Sequence, residues 1–373
     1  MAEYSDAWYA LTDPNRVDSP AYLVYPDRVR HNIDLMVKMA GTPERLVPHV
    51  KTHKMAEPVE MQLQAGIRRF KCATISEAEM LAKCGVSDVI LAYQLNVSKA
   101  VRFVKLAKDY PQIRFSCLLD NSFSARLLND LCASNACRLG VWVDLDTGMH
   151  RSGRSPESDA GTFFEDLVAL PWLDFRGLHA YDGHIRDSDF ELRSRRAEMG
   201  IEPVLLLCRS LTAAFQLPLE IIAGGTPTFP VHAQSESLLC SPGTCVLWDF
   251  GYAETLPEQH FLPAALVLCR VIPRTSPQSV TLDLGHKSIA AENILDKRVR
   301  FLNLSNYRFV SQSEEHLVIE GEGVRHLQLG DPLYGIPYHI CPTTALYDSA
   351  VTVISGEITG TWEIPARKRI CTY

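Results

Sequence analysis

Arg69-Phe70-Lys71-Cys72-Ala73-Thr74-Ile75-Ser76-Glu77-Ala78-Glu79 is a short apolar run that passes directly into a helix start. Residues 69–74 read as a strand. Ser76 followed three residues later by Glu79 is a capping-box signature, opening a helix that ends near Gly85. The same strand-then-helix unit recurs on both sides. Ala21 to Tyr25 reads as a strand and Asp27 to Ala40 as a helix with apolar positions at helical spacing. Val89 to Tyr93 is a strand and Ser98 to Asp109 a helix, and residues 113–119, 139–143, 175–180 and 219–223 continue the strands. About eight such units in roughly 230 residues imply right-handed crossovers and a parallel sheet, and fit a TIM (β/α)8 barrel better than a doubly wound one. No Gly-x-Gly-x-x-Gly follows the first strand, which removes the main support for a dinucleotide fold.

After about Gly251 the texture changes. Residues 267–273, 279–284, 308–311, 316–320, 332–336 and 350–355 read as strands joined by turns, and helical periodicity is scarce. The expected organisation is a TIM barrel over residues 19–250, followed by a mostly β domain over 251–373 that also takes in residues 1–18.

The chain has 373 residues, 46% of them hydrophobic and 22% charged, which is ordinary for a globular protein of two domains. A net charge of −7 argues against a general affinity for nucleic acid or an anionic membrane. Met1 to Asp18 is polar, without the apolar core of a signal peptide, and no apolar run approaches the roughly 20 residues that span a bilayer. The eleven cysteines are scattered from Cys72 to Cys371 without a Cys-x-x-Cys pair. They read as buried thiols of a cytoplasmic protein, not a disulfide framework.

Polar and glycyl residues cluster just after the strands, where a barrel collects its active site. Pro48-His49-Val50-Lys51-Thr52-His53-Lys54 packs two lysines and two histidines into seven residues. A lysine becomes nucleophilic near neutral pH only through burial or neighbouring cations, and Lys54 and the two histidines offer such neighbours. The chemistry served is an imine to a carbonyl; the alternative is a solvated basic turn. Ala223-Gly224-Gly225-Thr226-Pro227-Thr228 and Ser241-Pro242-Gly243-Thr244 offer bare N–H groups and hydroxyls suited to a phosphate, or are simple turns. Their place in the last βα units favours the phosphate.

Asp144-Leu145-Asp146-Thr147-Gly148-Met149-His150-Arg151-Ser152-Gly153 brings a guanidinium that either meets an anionic ring oxygen or pairs with an aspartate. His339-Ile340-Cys341-Pro342-Thr343 has a His-x-Cys spacing that, on an extended segment, points both side chains to one face. Imidazole plus thiolate favours zinc, and two such residues also meet by chance.

Taken together, these segments resemble the fold-type III pyridoxal-phosphate enzymes with an alanine racemase-like barrel, within them the D-threonine aldolase and D-serine dehydratase group. The resemblance runs from Asp18-Ser19-Pro20-Ala21 to His339-Ile340-Cys341-Pro342-Thr343, nearly the whole chain. It implies that Lys51, not Lys54, forms the Schiff base with pyridoxal phosphate. Arg151 contacts the ring oxygen, Tyr181 faces the ring, and Gly224, Gly225, Thr226, Gly243 and Thr244 hold the phosphate. His339 and Cys341 become ligands of a divalent metal (zinc, manganese or magnesium), and the enzyme works as a homodimer. Two positions depart from the pattern. Ser241 stands where racemases carry an arginine on the pyridine nitrogen, and Cys341 where some aldolases carry an aspartate.

The expected function is an aldolase that cleaves β-hydroxy-D-amino acids, D-threonine-like, to glycine and an aldehyde. His184, in Tyr181-Asp182-Gly183-His184-Ile185-Arg186-Asp187, is the candidate base, the alternative being a capping or core histidine. That segment resembles the aldolase branch, whereas Cys341 resembles the alternative, a D-serine or β-hydroxyaspartate dehydratase giving a keto acid and ammonia. A racemase is a lesser alternative. A non-catalytic cofactor carrier is disfavoured by the presence of a second domain.

Overall fold

Strands and helices alternate through the first two thirds of the chain. They are β1 (Ala21–Val24), α1 (Pro26–Ala40), α2 (Ala56–Gln64), β2 (Arg69–Cys72), α3 (Ile75–Lys83), β3 (Asp88–Gln94), α4 (Val97–Asp109), β4 (Arg114–Leu119) and α5 (Ser122–Asn135). After these come β5 (Leu139–Leu145), α6 (Gly161–Val168), β6 (Leu173–Ala180), α7 (Phe190–Phe215), β7 (Glu220–Ala223), α8 (Phe229–His232) and β8 (Leu239–Cys240). The computed structural model describes residues 7–157 and 161–373; residues 1–6, counted with the β domain from sequence, lie outside it. The described chain forms two units. One comprises Ile33–Lys51, Ala56–Cys245 and Lys368–Tyr373, and the other the residues through Asn32, Thr52–Met55 and Val246–Arg367.

In the first unit β2 to β8 form one parallel sheet in sequence order. Residues 46–49 bridge its two edges: Leu46 pairs with Cys240 and His49 with Lys71, both parallel. Val47 and His49 donate to the carbonyls of Cys240 and Pro242 at 2.8 Å, and Lys71 donates to Pro48 O at 2.9 Å, so the sheet closes on itself. Inside it Val47, Ile90, Leu118, Trp142 and Ile222 pack as one buried layer drawn from several strands, the way a barrel interior is filled. Helices start on side-chain caps just past the strand ends: Thr74, Asn96, Asn121 and Asp189 each accept a first-turn N–H.

The box at α3 is displaced from its expected place. Thr74 Oγ1 accepts from Glu77 N at 3.1 Å and Glu77 Oε2 accepts from Ala73 N at 2.6 Å, so the reciprocal pair is Thr74 and Glu77. Both pairs have the Ser/Thr-x-x-Glu spacing. The one nearer the end of β2 makes the cap, and Glu79 instead meets Lys83 at 2.6 Å.

The second unit is built from β9 (Ala265–Ser276), β10 (Ser279–Leu282), β11 (Val299–Phe301), β12 (Arg308–Gln312), β13 (Leu317–Glu320), β14 (Pro332–Pro337), β15 (Ser349–Ile354) and β16 (Glu357–Glu363), with short helices α9 (Phe250–Thr255) and α10 (Ile340–Thr344). The sheet order is β12-β13-β10-β9-β1-β15-β16, with β14 joining β9 to β11. The strand at Ala21–Val24 therefore belongs here and not to the barrel. It runs antiparallel to β9 and parallel to β15, buried along its whole length. A strand covered on both faces looks the same in sequence wherever it lies, which is why its apolar run read as the first barrel strand.

Trp142, 1% exposed, is the largest member of the barrel layer. Trp142→Ala should lower the unfolding free energy by roughly 3–5 kcal/mol in chemical denaturation. A loss well under about 1 kcal/mol would show that this layer does not hold the barrel together.

Candidate active site

Lys51 follows the closing segment 46–49 directly, in a tight turn over Val50–Thr52 where His49 Nδ1 accepts its backbone N–H at 3.2 Å. Its ammonium lies 5.8 Å from the centre of the Tyr181 ring. Tyr181 is the first residue past β6. Its ring rests on Gly183 and Gly225, where a Cβ would come within 2.2 Å of Tyr181 Oη and 3.0 Å of Tyr181 Cε2. The guanidinium of Arg151 sits 4.7 Å from the same ring and the Lys71 ammonium 5.8 Å from it. Arg151 thus turns to the aromatic ring, and among the described residues the Asp–Arg pair allowed by sequence does not form. Asp146 is used locally: Oδ1 accepts the N–H groups of Gly148 and His150 at 3.0 and 2.9 Å, and Oδ2 meets His150 Nδ1 at 2.8 Å.

Sequence reasoning missed Lys71. It is 2% exposed, and its Nζ lies 3.3 Å from His179 Nε2. His179 Nδ1 lies 2.7 Å from Asp144 Oδ1, while Asp144 Oδ2 accepts from Gln94 and Ser152 at 2.8 and 2.9 Å. Burial pushes the Asp144 carboxyl up, but the hydrogen bonds from His179, Ser152 and Gln94 outweigh it and hold the group below its usual range. Burial, then the charge of Lys71, holds the His179 imidazole down. A neutral His179 therefore donates from Nδ1 to Asp144 and turns the lone pair of Nε2 to Lys71. The only available sequence signal was a lysine inside a strand that a barrel buries on both faces.

The two expected phosphate loops meet. Gly224 has φ +70°, and a Cβ there would lie 2.5 Å from His232 Cδ2 and 2.7 Å from Thr228 Oγ1. The loop is tied to the end of β6: Asp182 Oδ2 meets His232 Nε2 at 2.7 Å and Asp182 Oδ1 accepts from Thr228 Oγ1 at 2.7 Å. Across from it, the N–H groups of Gly243 and Thr244 converge on one oxygen, Thr226 Oγ1, at 3.1 and 3.0 Å. Two amides aimed at a single oxygen form a cradle for an oxyanion. Ser241 is committed elsewhere, donating to Val47 O at 2.9 Å. An amine, an aromatic platform, a guanidinium and an amide cradle fit a phosphorylated aromatic aldehyde. His184 lies beside this group. Its Nε2 is 3.2 Å from the position a Cβ would take on Gly148, and its Nδ1 is buried without a hydrogen-bond partner.

His53 and Lys54 fall in the other unit. Burial pushes the His53 imidazole down to about 3, and its Nδ1 accepts Met55 N–H at 3.2 Å, so it is a neutral turn anchor and not a cationic neighbour. In that unit His339 and Cys341 do not lie on an extended segment. His339 caps α10 and Cys341 lies inside it, because the chain turns helical at Ile340. Their side chains still meet through a hydrogen bond. His339 Nδ1 donates to Glu292 Oε1 at 2.5 Å, and Cys341 Sγ lies 3.3 Å from Thr52 Oγ1. Burial lowers the His339 imidazole, but Cys341, Asp249 and Glu292 together push it up to about 9. Asp249 holds the segment by accepting Ile340 N–H at 3.1 Å. Among the described residues no three His, Cys, Asp or Glu side chains converge as a metal site. The pair offers an imidazole nitrogen and a thiol sulfur, with the other nitrogen of the imidazole fixed by a carboxylate, as second-sphere groups fix metal-binding histidines.

The alanine racemase N-terminal domain matches residues 24–246, and a putative serine dehydratase domain matches residues 264–353. A D-threonine aldolase from Arthrobacter sp. is 27% identical over 369 residues, covering 94% of this chain and 93% of that protein. A 3-hydroxy-D-aspartate aldolase from Paracoccus denitrificans (strain Pd 1222) is 25% identical, with 95% and 93% covered. The solved structure of D-threonine aldolase from Filomicrobium marinum superposes with a TM-score of 0.85 at 24% identity, over 94% of this chain and 96% of that one.

The depressed pKa of His53 sets a direction for stability. An imidazole that titrates near 6.5 in the unfolded chain and near 3 in the fold contributes stability above about pH 6.5 and loses it as pH falls toward 3. Thermal midpoints of the wild type and His53→Gln should therefore differ most near pH 7.5 and converge toward pH 4. A gap that stays constant across that range would remove the neutral, buried role from His53.

Proposed function

Because the chain belongs to the family of the alanine racemase N-terminal domain, and so to the fold-type III pyridoxal-phosphate enzymes, we propose that it is a lyase that cleaves β-hydroxy-D-amino acids, D-threonine-like, to glycine and an aldehyde. The observation that carries this reading is the meeting of Lys51, Arg151, Tyr181 and the two amide-bearing loops in one barrel unit. Two aldolases related along almost the full length of the chain support it.

Lys51 supplies the amine that attaches the cofactor aldehyde. Gly224, Gly225, Thr226, Gly243 and Thr244 hold its phosphate, Arg151 its ring oxygen, and Tyr181 backs the ring. Bound there, pyridoxal phosphate supplies an electron sink for a carbanion at the amino-acid Cα. His184, whose Nδ1 is buried without a partner, takes the proton of the substrate β-hydroxyl, and the aldehyde leaves as the Cα–Cβ bond breaks. His339 and Cys341 are the residues that would hold a divalent metal (zinc, manganese or magnesium), a Lewis acid toward hydroxyl oxygen. We place the enzyme in the cytoplasm as a homodimer acting on a small D-amino acid. None of the eleven cysteines forms a disulfide, and no helix among the described residues is long and apolar enough to cross a membrane.

One observation favours a second reading. The match to a putative serine dehydratase domain spans His339 and Cys341, and such an enzyme would release a keto acid and ammonia. Purified protein loaded with pyridoxal phosphate and manganese or zinc should turn D-threonine into glycine and acetaldehyde. 2-Oxobutyrate and ammonia from D-threonine, or pyruvate and ammonia from D-serine, would replace the aldolase with the dehydratase.

In the same assay Lys51→Ala should abolish turnover, and His184→Ala should slow it roughly a hundredfold or more. Full activity in His184→Ala would take the base role from that residue. Bound metal, counted by elemental analysis, should fall from about one ion per chain to none in a His339→Ala, Cys341→Ala double variant.

A further inference from the structure

Lys71 is a second amine beside Tyr181, and nothing in the catalytic roles above uses it. It projects from β2 and is almost wholly buried. A buried ammonium is stable only when paired or abundantly hydrogen-bonded. Among the described residues its Nζ has one hydrogen-bond partner, the neutral Nε2 of His179, and no ion pair. The Asp144 carboxylate reaches it only through that imidazole, a 2.7 Å hydrogen bond further on. Meanwhile two more cations, Lys51 after the closing segment and Arg151 after β5, gather round the same Tyr181 ring.

Such a gathering of cations, one of them buried, calls for an anion. On the proposed reading the amide cradle at Gly243 and Thr244 takes the phosphate. The anionic edge of the cofactor ring is the group still to be matched. Resting on the assignment of this site to pyridoxal phosphate, we propose that Lys71 is a cofactor-contacting residue that shares the ring oxygen with Arg151, its ammonium aimed by His179, which Asp144 orients in turn.

The titration of Lys71 agrees with that role. Burial, then repulsion from Lys51 and, less strongly, from Arg151, pulls its amine down, while Asp144 on β5 and Asp182 after β6 pull it up, leaving it at about 7. At that value the free protein carries a mixture of amine and ammonium near neutral pH. Arrival of an anion favours the ammonium, so cofactor capture takes up a proton.

The test compares wild type, Lys71→Met, Lys71→Gln and Lys71→Arg, each titrated with pyridoxal phosphate alone. Affinity, the pH midpoint of the visible band of the lysine-bound cofactor, and proton uptake by calorimetry in two buffers of different ionisation heat are the readouts. Lys71→Met and Lys71→Gln should bind roughly ten- to a hundredfold more weakly, as expected for losing a hydrogen bond from a charged group. Their band midpoint should move up by about one pH unit, because a nearby cation favours the deprotonated cofactor. Proton uptake should vanish in both and return in Lys71→Arg only as restored affinity, since arginine stays charged. Wild-type affinity, midpoint and uptake in both neutral variants would overturn the proposal. So would an effect that appears only when a substrate-like carboxylate such as acetate is added, which would assign the cation to substrate. Failure of wild type to develop a band that Lys51→Ala lacks would instead remove the cofactor reading beneath it.

Discussion

The barrel unit depends on how residues 46–49 close it. Val47 and His49 turn their N–H groups to Cys240 and Pro242, while the intervening Pro48 turns its carbonyl to Lys71. In a parallel strand the N–H and C=O of one residue face the same neighbour, so Pro48, which lacks an N–H, weakens only the rung toward β2. Ser241 adds a hydroxyl to Val47 O on the other side. Lys51 leaves this segment two residues after His49, and His49 Nδ1 fixes the direction of departure. Lys71 takes its place from the same rung. Both amines at the Tyr181 ring are thus set by one short stretch of backbone pairing.

Two histidine–aspartate pairs then do different work with the same chemistry. Asp182 and His232 are buried beneath the Gly224 loop, and Thr228 fills the remaining carboxylate oxygen, so that pair is closed and serves to lock a loop. Asp144 and His179 have the same 2.7 Å contact, but the far imidazole nitrogen opens onto a lysine. A closed pair stiffens a site. One ending on a titratable amine can move a proton, and which of the two arises is decided by the residue at the far nitrogen.

The parts legible in sequence were those whose signal is local. Apolar runs followed by capped amphipathic stretches gave β2 to β7 within a few residues, and glycines after apolar runs located two loops that meet. The misreadings have two causes: for some the deciding partner is distant in sequence, and for others a local turn or an exposed face hides the pattern. β1 carries an apolar run indistinguishable from a barrel strand, and only its pairing with β9 and β15 reveals its sheet. β16, Glu357–Glu363, is largely exposed and lacks the alternation that marks a half-buried strand. His339 and Cys341 come together on a different backbone from the extended one expected, since a turn of helix begins between them. Lys71 was invisible because its meaning comes from His179, 108 residues away.

Position 241 shows how these constraints bear on chemistry. An arginine there would bring a cation to the far end of the β8 loop; here a serine takes its place and is bound into barrel closure. The cations of the site are consequently concentrated around Tyr181, in Lys51, Lys71 and Arg151. On the proposed reading, positive charge gathered at the oxygen edge of the cofactor ring would stabilise a phenolate there. Cleavage of Cα–Cβ and loss of a Cα proton leave the same carbanion for the ring to delocalise, so on the proposed reading the choice between lyase and racemase chemistry falls to the groups at the β-hydroxyl, His184 first among them.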